Sequence, residues 1–125
     1  MRRDPRTILL SIAPLAALLV ASMPAVAADA EHGKVVFQGC AACHSEGANA
    51  LGPSLKGVYG RKSAALEDYR YSPAMTRANL VWDEPNLKSF VADPQGKVRG
   101  NRMPFGGVTD SKDLDDVVAF LKVYK

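Results

Sequence analysis

The side chains that small stapled or metal-clustered proteins rely on are scarce in this chain. Two cysteines, two histidines and one tryptophan occur in 125 residues, and aromatic residues make up 7%. Two cysteines are too few for a disulfide scaffold. A closed zinc site needs four ligands, and beyond the pair of cysteines and one neighbouring histidine the chain offers only His32. No uninterrupted apolar run reaches the roughly 20 residues of a bilayer span, no strand-period alternation is sustained, and there is no internal repeat. The length leaves room for one domain and excludes a second. A hydrophobic content of 47% beside 23% charged residues excludes disorder as a description of the whole chain.

The formal net charge of +3 and a pI near 9.0 invite a nucleic-acid reading. Part of that charge sits at the very start. Arg2, Arg3 and Arg6 precede an apolar run from Ile8 to Val20 that Ser11 and Pro14 interrupt, and Ala25-Val26-Ala27 follows Pro24. A positive segment, a short apolar segment and small residues, in that order, form a secretory signal peptide. Asp4 and Pro5 after the arginine pair make it ordinary leader charge and not a twin-arginine signal. The expected cut falls after Ala27 or Ala28, leaving 28–125 as the working domain. Loss of residues 1–27 removes three Arg and one Asp and leaves 13 basic and 12 acidic side chains, a net +1. No polyanion-binding surface remains, and the expected location is the periplasm.

The remaining chain reads as all-α. Asp29 caps a helix to Phe37, with Glu31 in the first turn and Val35, Val36 and Phe37 as the expected buried positions. From Ser45 to Arg70, Gly47, Gly52, Pro53, Gly57 and Gly60 break any period. Ser72-Pro73 opens a helix of about seven residues, and Asp83-Glu84-Pro85 opens another that ends by Asp93-Pro94. A second irregular segment is expected from Pro94 to Val108. The last helix is the clearest: Leu114, Val117, Val118 and Leu121 fall at i, i+3, i+4 and i+7, capped by Thr109 or Ser111. The apolar helix faces are too few to bury two long loops unaided, so a central cofactor is expected.

Cys40-Ala41-Ala42-Cys43-His44 supplies it. C-x-x-C-H is the haem attachment signature. Thiols three residues apart can each add to one vinyl group on the same porphyrin edge, and the next residue, His44, reaches the iron. A thioredoxin-type dithiol would sit near a βαβ pattern, which the sequence lacks. One covalently attached haem c per chain is the reading. A thioether as second axial ligand stabilises ferrous iron and raises the potential, whereas an open sixth position admits gas or peroxide chemistry. After the leader only Met75 and Met103 remain. Met103 lies among Pro and Gly just before the last helix, in backbone suited to presenting a side chain inward. Met75 lies in a short helix, where core filling is the usual role.

With these residues the chain resembles the class I c-type cytochromes, and within them the mitochondrial cytochrome c and bacterial cytochrome c2 group. The resemblance rests on Gly33, Phe37, Cys40 to His44, Leu51 to Leu55, Gly57 to Lys62, Tyr69 to Ser72, Trp82, Pro94, Met103 to Phe105 and Val117 to Lys122. It implies the cytochrome c fold, three to five helices and long loops packed around one covalently bound haem. It implies that Pro53 offers its carbonyl to the His44 ring, and that Arg61, Tyr71 and Trp82 meet a buried propionate, although Trp82 could equally serve as plain core. It further implies that Asn101 hydrogen-bonds near the iron-bound sulfur, that Phe105 flanks the pocket, and that Gly33 lets the first and last helices cross with Phe37 near Phe120.

Departures from the family pattern are Phe90 where Tyr is frequent, Met75 where Asn is common, and a thinned basic ring. Gly39 precedes Cys40, Gln95 and Gly96 follow Pro94, and Thr109-Asp110 occupies another usually basic place. Arg102, Lys97 and Lys112 are what remains to steer a partner. The implied function is an exported, monomeric, monohaem electron carrier and not an enzyme. Its partners would be redox proteins such as a bc1-type complex, a terminal oxidase, a reaction centre or a dehydrogenase, with no nucleic acid and no small-molecule substrate. The rival readings are a haem enzyme or gas sensor with a labile sixth ligand, and a fixed electron-transfer subunit of a larger complex.

Overall fold

The computed structural model describes residues 19–125. The arginines and most of the apolar run of the expected leader therefore lie outside the described residues, and residues 19–29 are exposed and outside any helix. Five helices follow: α1 (Ala30–Ala41), α2 (Pro73–Ala78), α3 (Glu84–Ala92), α4 (Pro94–Lys97) and α5 (Ser111–Val123). Among the described residues the one β-type pairing is an isolated bridge between Lys62 and Val81, and no helix is long and apolar enough to cross a membrane.

Acidic and hydroxyl side chains start every helix. The Asp29 carboxylate accepts from the N–H groups of Glu31 and His32, Ser72 from Met75, Asp83 from Asn86, Asp93 from Gly96 and Asp110 from Asp113. Each satisfies an orphan amide of the first turn, an arrangement worth about 1 kcal/mol. Three helix boundaries differ from the sequence expectation or add to it. Helix α1 runs past Phe37 to Ala41, because nothing between Gln38 and Ala41 breaks it, and so carries Cys40 in its last turn. Pro94 ends α3 but, being at the first helical position, also opens α4 inside the segment expected to be irregular. The cap of α5 is Asp110, neither Thr109 nor Ser111.

Helices α1 and α5 cross at Gly33, where a Cβ would lie 1.9 Å from the Asp116 carbonyl oxygen. Backbone therefore meets backbone there. One turn on, Phe37 packs on Phe120 (centroids 5.0 Å apart) and on Tyr124 (4.9 Å). The buried residues of α1 are Gly33 and Phe37; Val35, expected inside, is 60% exposed, and Val36 is half-buried. From α5, Val117, Val118 and Leu121 are buried and join Val58, Trp82 and Leu87 in the core. Burying each such aliphatic side chain contributes about 2 kcal/mol.

Asp116 is a buried carboxylate in this crossing, 1% exposed. Its Oδ1 accepts from the Asp29 N–H at 2.7 Å, and its Oδ2 from His32 Nδ1 at 2.8 Å and from Lys112 Nζ. The Asp29 amide first, and then Lys112, hold its pKa down from 3.8 to about 2, against the opposing effect of burial. Because the folded value lies below the unfolded one, the stabilisation is complete above about pH 4 and disappears as pH falls through about 2. Urea midpoints of the holoprotein should fall across that window, and Asp116→Asn should flatten this limb; an equally steep limb in the variant would assign it to other carboxylates.

Gly33→Ala should cost about 3 kcal/mol or more in the same urea measurement. The gain of about 1 kcal/mol in helix propensity is too small to offset a clash with backbone. An unchanged midpoint would show that the helices can separate without loss.

Candidate haem site

The last turn of α1 and the turn after it bring the motif together. Cys43 and His44 both donate their N–H groups to the Cys40 carbonyl, at 3.1 and 2.9 Å, so the chain tightens as it leaves the helix. Gly52 N–H then bonds to the Cys43 carbonyl at 2.8 Å and lays the 52–53 backbone against the His44 ring. A Cβ on Gly52 would fall 2.6 Å from His44 Cε1. The glycine is thus required by the ring's position. The sequence reading used it only as a breaker and as part of a family run; its close approach to His44 carries no local signal.

His44 Nδ1 lies 2.7 Å from the Pro53 carbonyl oxygen. A carbonyl only accepts, so Nδ1 carries the hydrogen, and in the neutral ring Nε2 is the nitrogen with the lone pair. The same cavity takes in Cys40, Cys43, His44, Met75, Met103 and Phe105, with Trp82, Phe90 and Leu121 among its apolar lining. It opens to solvent, and the space between its walls and across its mouth amounts to about 1210 Å³. Burial, first, and the neighbouring Cys43 push the Cys40 thiol above its ordinary 9.0. That is the reverse of an activated redox dithiol, and no disulfide joins the pair. Two thiols one turn apart, an imidazole with a free Nε2 and an apolar slot fit a covalently held haem.

The other sequence-selected residues surround this cavity. Arg61 donates to the carbonyls of Ser54 (2.7 Å) and Lys56 (3.1 Å), which fixes its guanidinium beside the slot. Tyr71 accepts a long contact from Leu66 N–H at 3.4 Å, meets Tyr69 edge-on at 4.9 Å, and has its hydroxyl pushed to higher pKa chiefly by burial. Trp82 is 8% exposed and packs against Phe90, centroids 5.0 Å apart. Met75 packs against the buried core cluster as well as lining the cavity.

Asn101 hydrogen-bonds to the backbone of the loop that carries Met103. Both hydrogens of its Nδ2 are taken by the Pro94 and Val98 carbonyls, each at 2.8 Å, while its Oδ1 accepts from Met103 N–H at 2.8 Å. Its donors are thus engaged within the fold, and its oxygen holds the Met103 backbone. Two of the three expected steering cations are tied into the fold. Arg102 donates to the carbonyls of Arg70 (3.3 Å) and Tyr71 (2.5 Å), and Lys112 pairs with Asp116 on the far helix crossing. Of the three only Lys97 is left, and it shares a surface groove with Arg77 and Arg99, two cations that sequence reasoning did not single out.

Comparison with known proteins agrees with this geometry. Residues 30–125 match the family model for cytochrome c. Cytochrome c2 iso-2 of Magnetospirillum fulvum is 46% identical over 88 residues, covering 69% of this chain and 92% of that protein. Cytochrome c2 of Blastochloris viridis is 38% identical over 111 residues, with 86% and 87% covered. Among solved structures, cytochrome cH from Methylobacterium extorquens superposes with a TM-score of 0.71 at 43% identity, over 75% of this chain and 97% of that one. The chain is a member of the cytochrome c family, an all-α carrier of electrons on one covalently bound haem c and not an enzyme.

Proposed function

We propose that Cys40 and Cys43 anchor the haem, that His44 and Met103 are its axial ligands, and that the exported domain 28–125 shuttles single electrons as a periplasmic monomer. Its donors and acceptors would be redox proteins of the kinds served by a bc1-type complex, terminal oxidase, reaction centre or dehydrogenase. The bound haem supplies the one-electron couple. The observation that carries the reading is the locked His44 tautomer, with Cys40, Cys43 and Met103 lining the one cavity.

Each protein group then has a role. The Pro53 carbonyl orients His44 and strengthens it as a donor. Asn101 fixes the backbone of Met103 on one side, and Arg102 ties the next residue of that loop to Arg70 and Tyr71. Arg61 and Tyr71 offer a fixed positive charge and a hydroxyl to a propionate, and Trp82 and Phe105 exclude water around the ring. Met103 is favoured over Met75 because it stands in non-helical backbone outside the core cluster, whereas Met75 is part of helix α2 and of the core packing.

The ferric protein should show the near-infrared Met-to-iron charge-transfer band. Met103→Ala should abolish it and Met75→Ala should keep it. The opposite pattern would exchange the two assignments, and a wild type without the band would favour the haem enzyme or gas sensor with a labile sixth ligand.

Counting two ionised propionates against the net +1 leaves roughly −1, so steering must come from local charge. The groove of Arg77, Lys97 and Arg99 is where it can arise. Changing all three to Gln should slow electron transfer with an acidic partner by about 10-fold at low salt and flatten its dependence on ionic strength. Rates indifferent to salt in the wild type would replace steering with apolar docking around Phe105, which is 39% exposed.

A further inference from the structure

We propose that the buried Asp116 carboxylate is the receptor for the new chain terminus made on export, with the cut between Ala28 and Asp29. This rests on the export reading and selects one of its two cuts. In the step, water and an export-linked endopeptidase break the Ala28–Asp29 peptide bond. Hydroxyl adds to the Ala28 carbonyl carbon and hydrogen to the Asp29 nitrogen, which takes up one more proton at neutral pH. The nitrogen that becomes the α-ammonium is the one already 2.7 Å from Asp116 Oδ1.

Among the described residues, Asp29 is the first to hydrogen-bond to the fold. Its N–H reaches Asp116, its carboxylate caps Glu31 and His32, and its carbonyl accepts from Gly33 N–H at 2.9 Å. Residues 19–28 before it are exposed and outside any helix. Both cuts leave small residues ahead of the bond, Ala25 and Ala27 or Val26 and Ala28, so leader chemistry alone does not choose. The two cuts differ in what they place at the carboxylate. Of the groups facing it, Lys112 and His32 both lie on Oδ2, His32 in turn lies 3.8 Å from Asp113, and Oδ1 receives the Asp29 nitrogen. An ammonium there keeps the existing hydrogen bond and adds charge to it, making it the stronger, charge-assisted kind. A cut one residue earlier would place the charge on Ala28, outside this contact.

An opposite charge at that distance raises an amine's pKa. The pair therefore stabilises the fold below the ordinary α-amine range, about 7.7–8.0, and is lost as pH rises through the raised value. The test uses holoprotein exported from its own full-length chain. N-terminal sequencing and intact mass should give Asp29 as the first residue. Site-resolved NMR titration should place its α-amine above the ordinary range in the wild type and within it in Asp116→Asn, with the haem spectrum reporting that the variant is folded. Should that variant fail to fold, one Gly inserted between Ala28 and Asp29 leaves the carboxylate intact, shifts the ammonium outward and should return it to the ordinary range. A mature chain beginning at Ala28, or an Asp29 amine that titrates normally in the wild type, overturns the proposal while leaving export in place. A mass that retains residues 1–28 overturns both.

Discussion

The approach of α1 to α5 at Gly33 is the constraint on which the rest depends. With no Cβ at that point, the α1 backbone comes to rest on the Asp116 carbonyl, and Phe37, one turn further, slots between Phe120 and Tyr124. Seven residues beyond the crossing the same helix delivers Cys40. At its other end α5 contributes Leu121 to the wall of the cavity. The haem-bearing motif is thus aimed by a helix whose position is set by backbone contact, with little freedom to slide. A larger residue at 33 would act on the site from a distance, by moving the end of α1.

How much of this was legible follows the range of the interactions involved. C-x-x-C-H is local chemistry, so the attachment motif could be read from five consecutive residues. The α5 stripe is periodic over three turns, and it was legible for the same reason. What escaped needed knowledge of a distant neighbour. Val35 and Phe37 are both apolar and two apart, and only the direction of α5 decides that the second faces inward. Pro94 is a terminator when read from α3 and a starter when read from α4; the Asp93 carboxylate, accepting from Gly96 N–H at 2.9 Å, makes it both. Asp116 carries no mark of burial in a charged heptad of five acidic and basic residues, because its partners Asp29 and His32 lie more than 80 positions away.

The helices are opened by side-chain oxygens at every start, four of them aspartates, and this has an electrostatic consequence. Much of the acidic charge is held at caps or in pairs: Asp29, Asp83, Asp93 and Asp110 serve amides, while Glu84 and Asp115 meet Lys88 and Lys122. Lys112 answers Asp116. The pairs cluster on the α1, α3 and α5 side, and the α2–α4 groove holds Arg77, Lys97 and Arg99. A chain close to neutral can therefore still present a polar asymmetry. Net charge would have hidden it.

The loop that bears Met103 shows that a cation in a sequence can serve the backbone of its own chain. Arg102 looks like a remnant of a basic ring, but its guanidinium is committed to two carbonyls of the 70–71 segment. Asn101, one residue earlier, saturates its amide on Pro94 and Val98 and grips the Met103 N–H. Successive side chains thus bind the same stretch of irregular backbone to two different parts of the fold, where helical hydrogen bonds are unavailable to hold it. A weak metal bond such as iron to thioether survives thermal motion better when its donor is held in place before the bond forms, because less ordering entropy is lost on ligation. The structure uses the Arg102 guanidinium there as a strap on irregular backbone, an anchoring role that leaves its charge in place.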